Sequence, residues 1–169
     1  ERLYKQVMVE ICTEWDLHMS DEIFISLVGI PSNESAKIYN QHYGDAFDVE
    51  AFNTLCFERI TLACEKAVPL KPGAKLLVEK LNQRDVPIAV ATSTGRNMAH
   101  KFLDQAGLKP HFNHIVTRND VTNGKPDPEP FLTAAERLGL APENCIAFED
   151  SHNGVRAAHG AGMATIMVP

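Results

Sequence analysis

The sequence predicts two units of different class: a small α-helical bundle over residues 1–68, then an α/β unit with a Rossmann-like parallel sheet over 69–169. Three observations predict this. Apolar residues before position 68 recur only at helical spacing, whereas from Pro69 onward short continuous apolar runs alternate with helical stripes. Charge divides at the same place, with 12 acidic and 5 basic side chains in 1–68 against 10 and 11 in 69–169.

Leu3, Val7 and Ile11, with Tyr4, Met8 and Trp15, recur at spacings of three and four and form one stripe, which predicts a helix over 2–15. Further helices are expected at 20–27 opened by Ser20, at 33–43 after Pro31-Ser32, and at 48–66 opened by Asp48. Gly29-Ile30-Pro31-Ser32 breaks the pattern and reads as a loop. After Pro72-Gly73 a helix carries the stripe Leu77, Val78 and Leu81. Residues 87–91 form an apolar run, the mark of a strand buried on both faces of a parallel sheet. A helix at 95–106, a strand at 114–117, a helix at 128–138, a strand at 145–148, a helix at 152–160 and a strand at 163–168 complete the series. Such alternation implies parallel pairing through right-handed crossovers.

Composition narrows the function. The 169 residues carry a formal charge of −6, which disfavours a nucleic-acid partner. With 44% apolar and 22% charged residues the chain is neither disordered nor fibrous. No apolar run approaches the roughly 20 residues that cross a bilayer, and no signal-like segment opens the chain, so a soluble, cytoplasmic, monomeric protein without a membrane partner is expected. Four cysteines without a C-x-x-C pair read as buried thiols. His111 and His114 have H-x-x-H spacing but no third ligand in a motif-like position, and they read as loop histidines rather than a zinc site.

In open α/β sheets ligands bind beyond the carboxyl ends of the strands. After the first strand stands Thr92-Ser93-Thr94-Gly95-Arg96, hydroxyls and N–H groups leading into a helix N-terminus, a turn suited to an anion. After the second comes Gly124-Lys125-Pro126-Asp127-Pro128, where prolines hold one ammonium in place; Pro126 stands where a Walker loop needs Ser or Thr. After the third come Glu149-Asp150-Ser151, adjacent carboxylates that repel unless a cation stands beside them, with oxygen ligands of the kind Mg²⁺ takes. Each feature alone has a plainer reading as a helix cap, a solvated lysine or a helix-start charge pattern. Their placement at three successive strand ends points to one Mg²⁺-dependent phosphoryl site.

The segments IAVATST from Ile88, GKPDPEPF from Gly124 and IAFEDSHNG from Ile146, in this order and spacing, resemble motifs two, three and four of the haloacid dehalogenase-like (HAD) hydrolase superfamily. The helical segment resembles that family's small cap, and the β-phosphoglucomutase-like phosphatases are the nearest subgroup. The resemblance implies that Thr92 hydrogen-bonds the transferring phosphoryl group, that Ser93 offers its N–H, and that Lys125 neutralises phosphoryl oxygens and nucleophile. It implies that Asp150, with Glu149 directly or through water, holds Mg²⁺, supported by Ser151 and Asn153. It places leaving-group recognition in the cap loop at Gly29, Ser32 and Asn33.

The same resemblance implies a first motif, D-x-D at the end of a central strand, that supplies an aspartyl nucleophile. No D-x-D occurs in the 169 residues, so a longer protein is expected, with that strand and aspartate ahead of Glu1. As given, the chain is expected to be inactive and to have an incomplete sheet. Glu149-Asp150 argues for phosphate over metal-independent dehalogenation. Ser32, where a mutase of the subgroup carries arginine, favours hydrolysis of a small sugar, polyol or glycolate phosphate over phosphosugar mutation. A non-catalytic phosphate and Mg²⁺ binding module is the remaining alternative.

Overall fold

The structure, a computed structural model, describes residues 2–28 and 32–168, without the side chains of Arg2, Ser32, Asn33, Glu34 and Lys66. The chain divides into two compact units, Glu1–Ala67 and Val68–Pro169. The first holds α1 (Arg2–Glu14), α2 (Asp21–Leu27), α3 (Ser32–Tyr43) and α4 (Val49–Lys66). Ser20 accepts the Ile23 N–H at 3.2 Å and Asp48 accepts the Ala51 N–H at 2.9 Å, so each satisfies a donor that an opening helix leaves free. α1 packs on α4, and α2 on α3. Arg59 of α4 grips Glu14 of α1 with two bonds, at 2.7 and 2.5 Å.

Between the helices lies an aromatic cluster around Phe52, which is fully buried and has the rings of Trp15, Tyr39 and Phe47 at 5.7, 5.2 and 5.2 Å. Such tilted and edge-on pairs add to the burial of area itself. Cys12, Cys56 and Cys64 are buried in the same unit and form no disulfide. Burial pushes the Cys56 thiol up to about 12, which leaves it an inert packing group.

The second unit begins with α5 (Ala74–Asn82) and continues β1 (Ala89–Ala91), α6 (Arg96–Gln105), β2 (His114–Val116), α7 (Glu129–Leu138), β3 (Ile146–Glu149), α8 (His152–Gly160) and β4 (Ala164–Met167). Gly139 closes α7 in the left-handed conformation (φ 69°) that a residue without Cβ adopts at least cost. The strands pair in parallel, β1 with β2 in the register Ala91↔Val116, and β3 with β4 in the register Glu149↔Met167.

One open sheet is expected, and two two-stranded sheets are found. Strands pair only when their axes lie about 4.8 Å apart, and here the pairs are joined through α7, which packs on β1, β2 and α8. Burial on both faces is also not found: β1 is only half-buried, and in β3 Ala147 and Glu149 are buried while Ile146 is 61% and Phe148 49% exposed. The core under α7 and α8 is built from Phe131, Ala135, Ala147, Ala157, Ala158, Ala161 and Met163, mostly small side chains that admit close helix–strand approach. Among the described residues no helix is long and apolar enough to cross a membrane.

Phe52→Ala is expected to cost about 3–5 kcal/mol, because three rings lose their common neighbour. Urea unfolding followed by the fluorescence of Trp15, the single tryptophan, checks this.

Candidate active site

The turn after β1 is ordered by its own hydroxyl and by a neighbouring loop. Thr92 Oγ1 accepts the Thr94 N–H at 3.1 Å, which leaves the hydroxyl hydrogen available to an outside acceptor. Thr92 and Ser93 do not cap α6. Gly95 is the N-cap and makes no side-chain cap bond, and the first N–H of α6, that of Arg96, goes instead to Asn119 Oδ1 at 2.9 Å. The exposed Ser93 has an N–H that makes no hydrogen bond among the described residues.

The segment after β2 starts as a 3₁₀ turn, Arg118–Asp120, closed by a capping box with Thr117. Asp120, 10% exposed, accepts the Thr117 N–H at 2.9 Å, the Thr117 hydroxyl at 2.5 Å, Arg96 at 2.9 Å and Arg137 at 3.0 Å. The Thr117 hydroxyl first, and then its N–H and Arg137, hold the Asp120 carboxyl well below the usual carboxylate range. The Arg118 N–H donates to Thr94 O at 3.1 Å, a second tie to the turn after β1. Farther on, Glu129 accepts the Thr122 and Asn123 N–H groups, both at 2.7 Å. Lys125 is thereby set between two anchored ends.

Lys125 is not a solvated loop lysine. Its side chain is 10% exposed, its Nζ lies 4.9 Å from the centre of the Phe131 ring, and it is ion-paired with Glu149 at the end of β3. Ser151 caps α8 by accepting the Gly154 N–H at 3.0 Å, and its hydroxyl stands 3.4 Å from Glu149 Oε2. Asp150 is apart from this buried pair: its side chain is 41% exposed and meets Lys71 at 3.7 Å. The two adjacent carboxylates therefore have separate lysine partners, Glu149 a buried one and Asp150 a solvated one. Asn153 sits in the first turn of α8.

Lys125, Glu149 and Ser151 are brought together, and the loop that carries Lys125 also braces the turn of Thr92 and Ser93. Gly29 lies outside the described residues, as do the side chains of Ser32 and Asn33, so the cap-loop expectation is not addressed by the structure. Sequence reasoning gave no role to Asn119, Asp120 or Glu129. The T-x-x-D spacing of Thr117 and Asp120 is a readable capping signal, but the reach of Asn119 to Arg96 has no local signature.

The turn of Thr92 and Ser93, the buried Lys125 and the carboxylates of Glu149 and Asp150 follow successive strands of a parallel α/β unit. The model of the haloacid dehalogenase-like hydrolases matches residues 1–168, and the chain belongs to that family. It is similar to a Drosophila melanogaster protein named "Probable pseudouridine-5'-phosphatase", 35% identical over 175 residues that cover 100% of this chain and 75% of the relative. It is also similar to the phosphorylated carbohydrates phosphatase of Thermotoga maritima, 29% identical over 166 residues, 98% of this chain and 77% of the relative. Among solved structures, CbbY from Rhodobacter sphaeroides in complex with phosphate matches with a TM-score of 0.80 at 26% identity, over 99% of this chain and 79% of that one.

Because Asp120 is depressed in the folded state, its contribution to stability is complete above the unfolded value of about 4 and is lost as pH falls toward the folded value. Asp120→Asn should lower stability by roughly 2–4 kcal/mol near neutrality, with the gap to the unsubstituted protein closing below about pH 4. Thermal melts across that range test it; a gap that stays constant with pH counts against the assignment.

Proposed function

We propose that the protein hydrolyses a small phosphomonoester, of a sugar, polyol or glycolate, and that the site at the strand ends is where the phosphoryl group is held. The observation that carries this reading is the buried Lys125 ammonium, held by Glu149 on a loop that also braces the turn of Thr92 and Ser93. In it, the Thr92 hydroxyl and the Ser93 N–H donate to phosphoryl oxygens, and Lys125 neutralises the charge that develops there. The name of one relative, a phosphorylated carbohydrates phosphatase, supports the substrate class, and that of another, a pseudouridine-5'-phosphatase, supports hydrolysis of a phosphomonoester.

Mg²⁺ suits the donors present. It commonly takes one or two carboxylates and completes its shell with water and phosphate oxygens, and Asp150 offers a half-exposed carboxylate next to buried Glu149. Asp150 would hold the ion, Glu149 would support it directly or through water, and Ser151 and Asn153 would steady the turn. When bound, the ion neutralises charge on the phosphoryl oxygens.

The attacking carboxylate belongs, in this reading, to an aspartate outside the 169 residues. It would attack phosphorus and release the alcohol, and water would then cleave the acyl phosphate to phosphate and free carboxylate. Two facts support this: no D-x-D occurs in the chain, and the relatives above are longer than it. Free cysteines fit a reducing, cytoplasmic setting.

Assay of the full-length protein on a panel of sugar, polyol, glycolate and nucleotide monophosphates should show Mg²⁺-dependent phosphate release, with the small phosphates preferred. Turnover of nucleotides alone would overturn the substrate class, and binding of phosphate without turnover of any ester would favour the non-catalytic module. Thr92→Val should lower kcat/KM about 10²-fold by removing one donor to the phosphoryl group. An unchanged kcat/KM would remove Thr92 from the site.

A further inference from the structure

Gly154 lies buried in the first turn of α8, with the Glu149 side chain over its Cα. On helix propensity alone alanine would be favoured there by roughly 0.5–1 kcal/mol. An ideal Cβ built on Gly154 collides with the carboxyl group of Glu149: its three nearest atoms are Glu149 Oε2, Cδ and Oε1, the last at 2.8 Å. Backbone is not among them. The obstacle is the tip of a side chain that could swing away, so the fold does not require glycine at this place. The position of the carboxylate does.

That carboxylate is committed elsewhere. Glu149 is ion-paired with Lys125 and near the Ser151 hydroxyl, and both charged side chains are at least nine-tenths buried. The Gly154 N–H donates to the same Ser151 Oγ, so one residue closes the cap of α8 and leaves room for the acid above it. A methyl group in that space would turn Glu149 away, and the Lys125 ammonium would lose its buried carboxylate partner.

We propose that Gly154 is a positioning residue for Lys125: its bare Cα is the seat of the Glu149 carboxylate, and the seated carboxylate fixes the ammonium at the strand ends. The inference deepens the phosphoryl-site reading and rests on it for its catalytic meaning, but its geometric content is separate and can be tested without substrate.

The test measures how fast Lys125 is acetylated by acetic anhydride in the full-length protein, mapped by mass spectrometry, with exposed Lys75 as internal standard. Lys125 should be protected in the unsubstituted protein. Gly154→Ala should raise its rate at least tenfold with the melting temperature changed by only a few degrees, and should lower kcat by a similar factor. Glu149→Gln, which keeps the volume and removes the charge, should expose Lys125 by itself, and adding Gly154→Ala to it should change nothing further. The proposal is overturned if Gly154→Ala leaves Lys125 protected, if it acts as strongly in the Glu149→Gln background, or if it unfolds the protein. Should the protein hydrolyse no phosphomonoester while the labelling behaves as expected, the phosphoryl reading fails and the seat of Glu149 stands.

Discussion

One ammonium and one carboxylate, both buried, meet at the end of β3, and much of the α/β unit is arranged so that they can. Neither charge could be kept there alone, since an unpaired ion in so dry a place costs several kcal/mol. Lys125 and Glu149 therefore hold each other, and each is held in turn. Lys125 is set by a loop tied down on both sides and by the face of Phe131, Glu149 by the cap of Ser151 and the open space over Gly154. A buried pair of this kind contributes little net stability over apolar residues of the same shape. Its effect is to fix the Lys125 ammonium at the end of β3.

The loop from Thr117 to Glu129 does the connecting. Its first residues close the turn after β1 through Arg118, Asn119 and Asp120, and its lysine closes on the acid after β3. β1–β2 and β3–β4 share no hydrogen bonds, so this loop and α7 relate the two pairs. Asp120 gathers Thr117, Arg96 and Arg137 onto one carboxylate, which joins the loop to the starts of α6 and the end of α7. Preorganisation of this sort is what a phosphoryl site needs, because its donors must be in place before charge develops.

Much of this was legible in the chain. Ser20 and Asp48 open helices because their side chains reach N–H groups three residues on, a local geometry. Thr92, Lys125 and Glu149 stood out as candidates because the ends of strands are where α/β folds bind ligands. The division of the sheet was not legible, since residues 87–91 and 145–148 look like any inner strands and pairing depends on what stands beside them. Nor was the separation of Glu149 from Asp150, adjacent in sequence yet one buried and one half-exposed, because a strand sends successive side chains to opposite faces and only packing says which face is dry.

The sequence by itself determined the two kinds of architecture, the order and approximate bounds of the helices and strands, and the residue types at the strand ends. These follow from periodicity, capping and turn chemistry, which act over a few residues. Only the tertiary structure decided that Lys125 is buried against Glu149 rather than solvated, that Asn119 and Asp120 brace the turn of Thr92, and that Gly154 is small for the sake of a carboxylate five residues before it in the chain. Each of these depends on desolvation and close contact between elements, and a linear pattern does not carry those quantities.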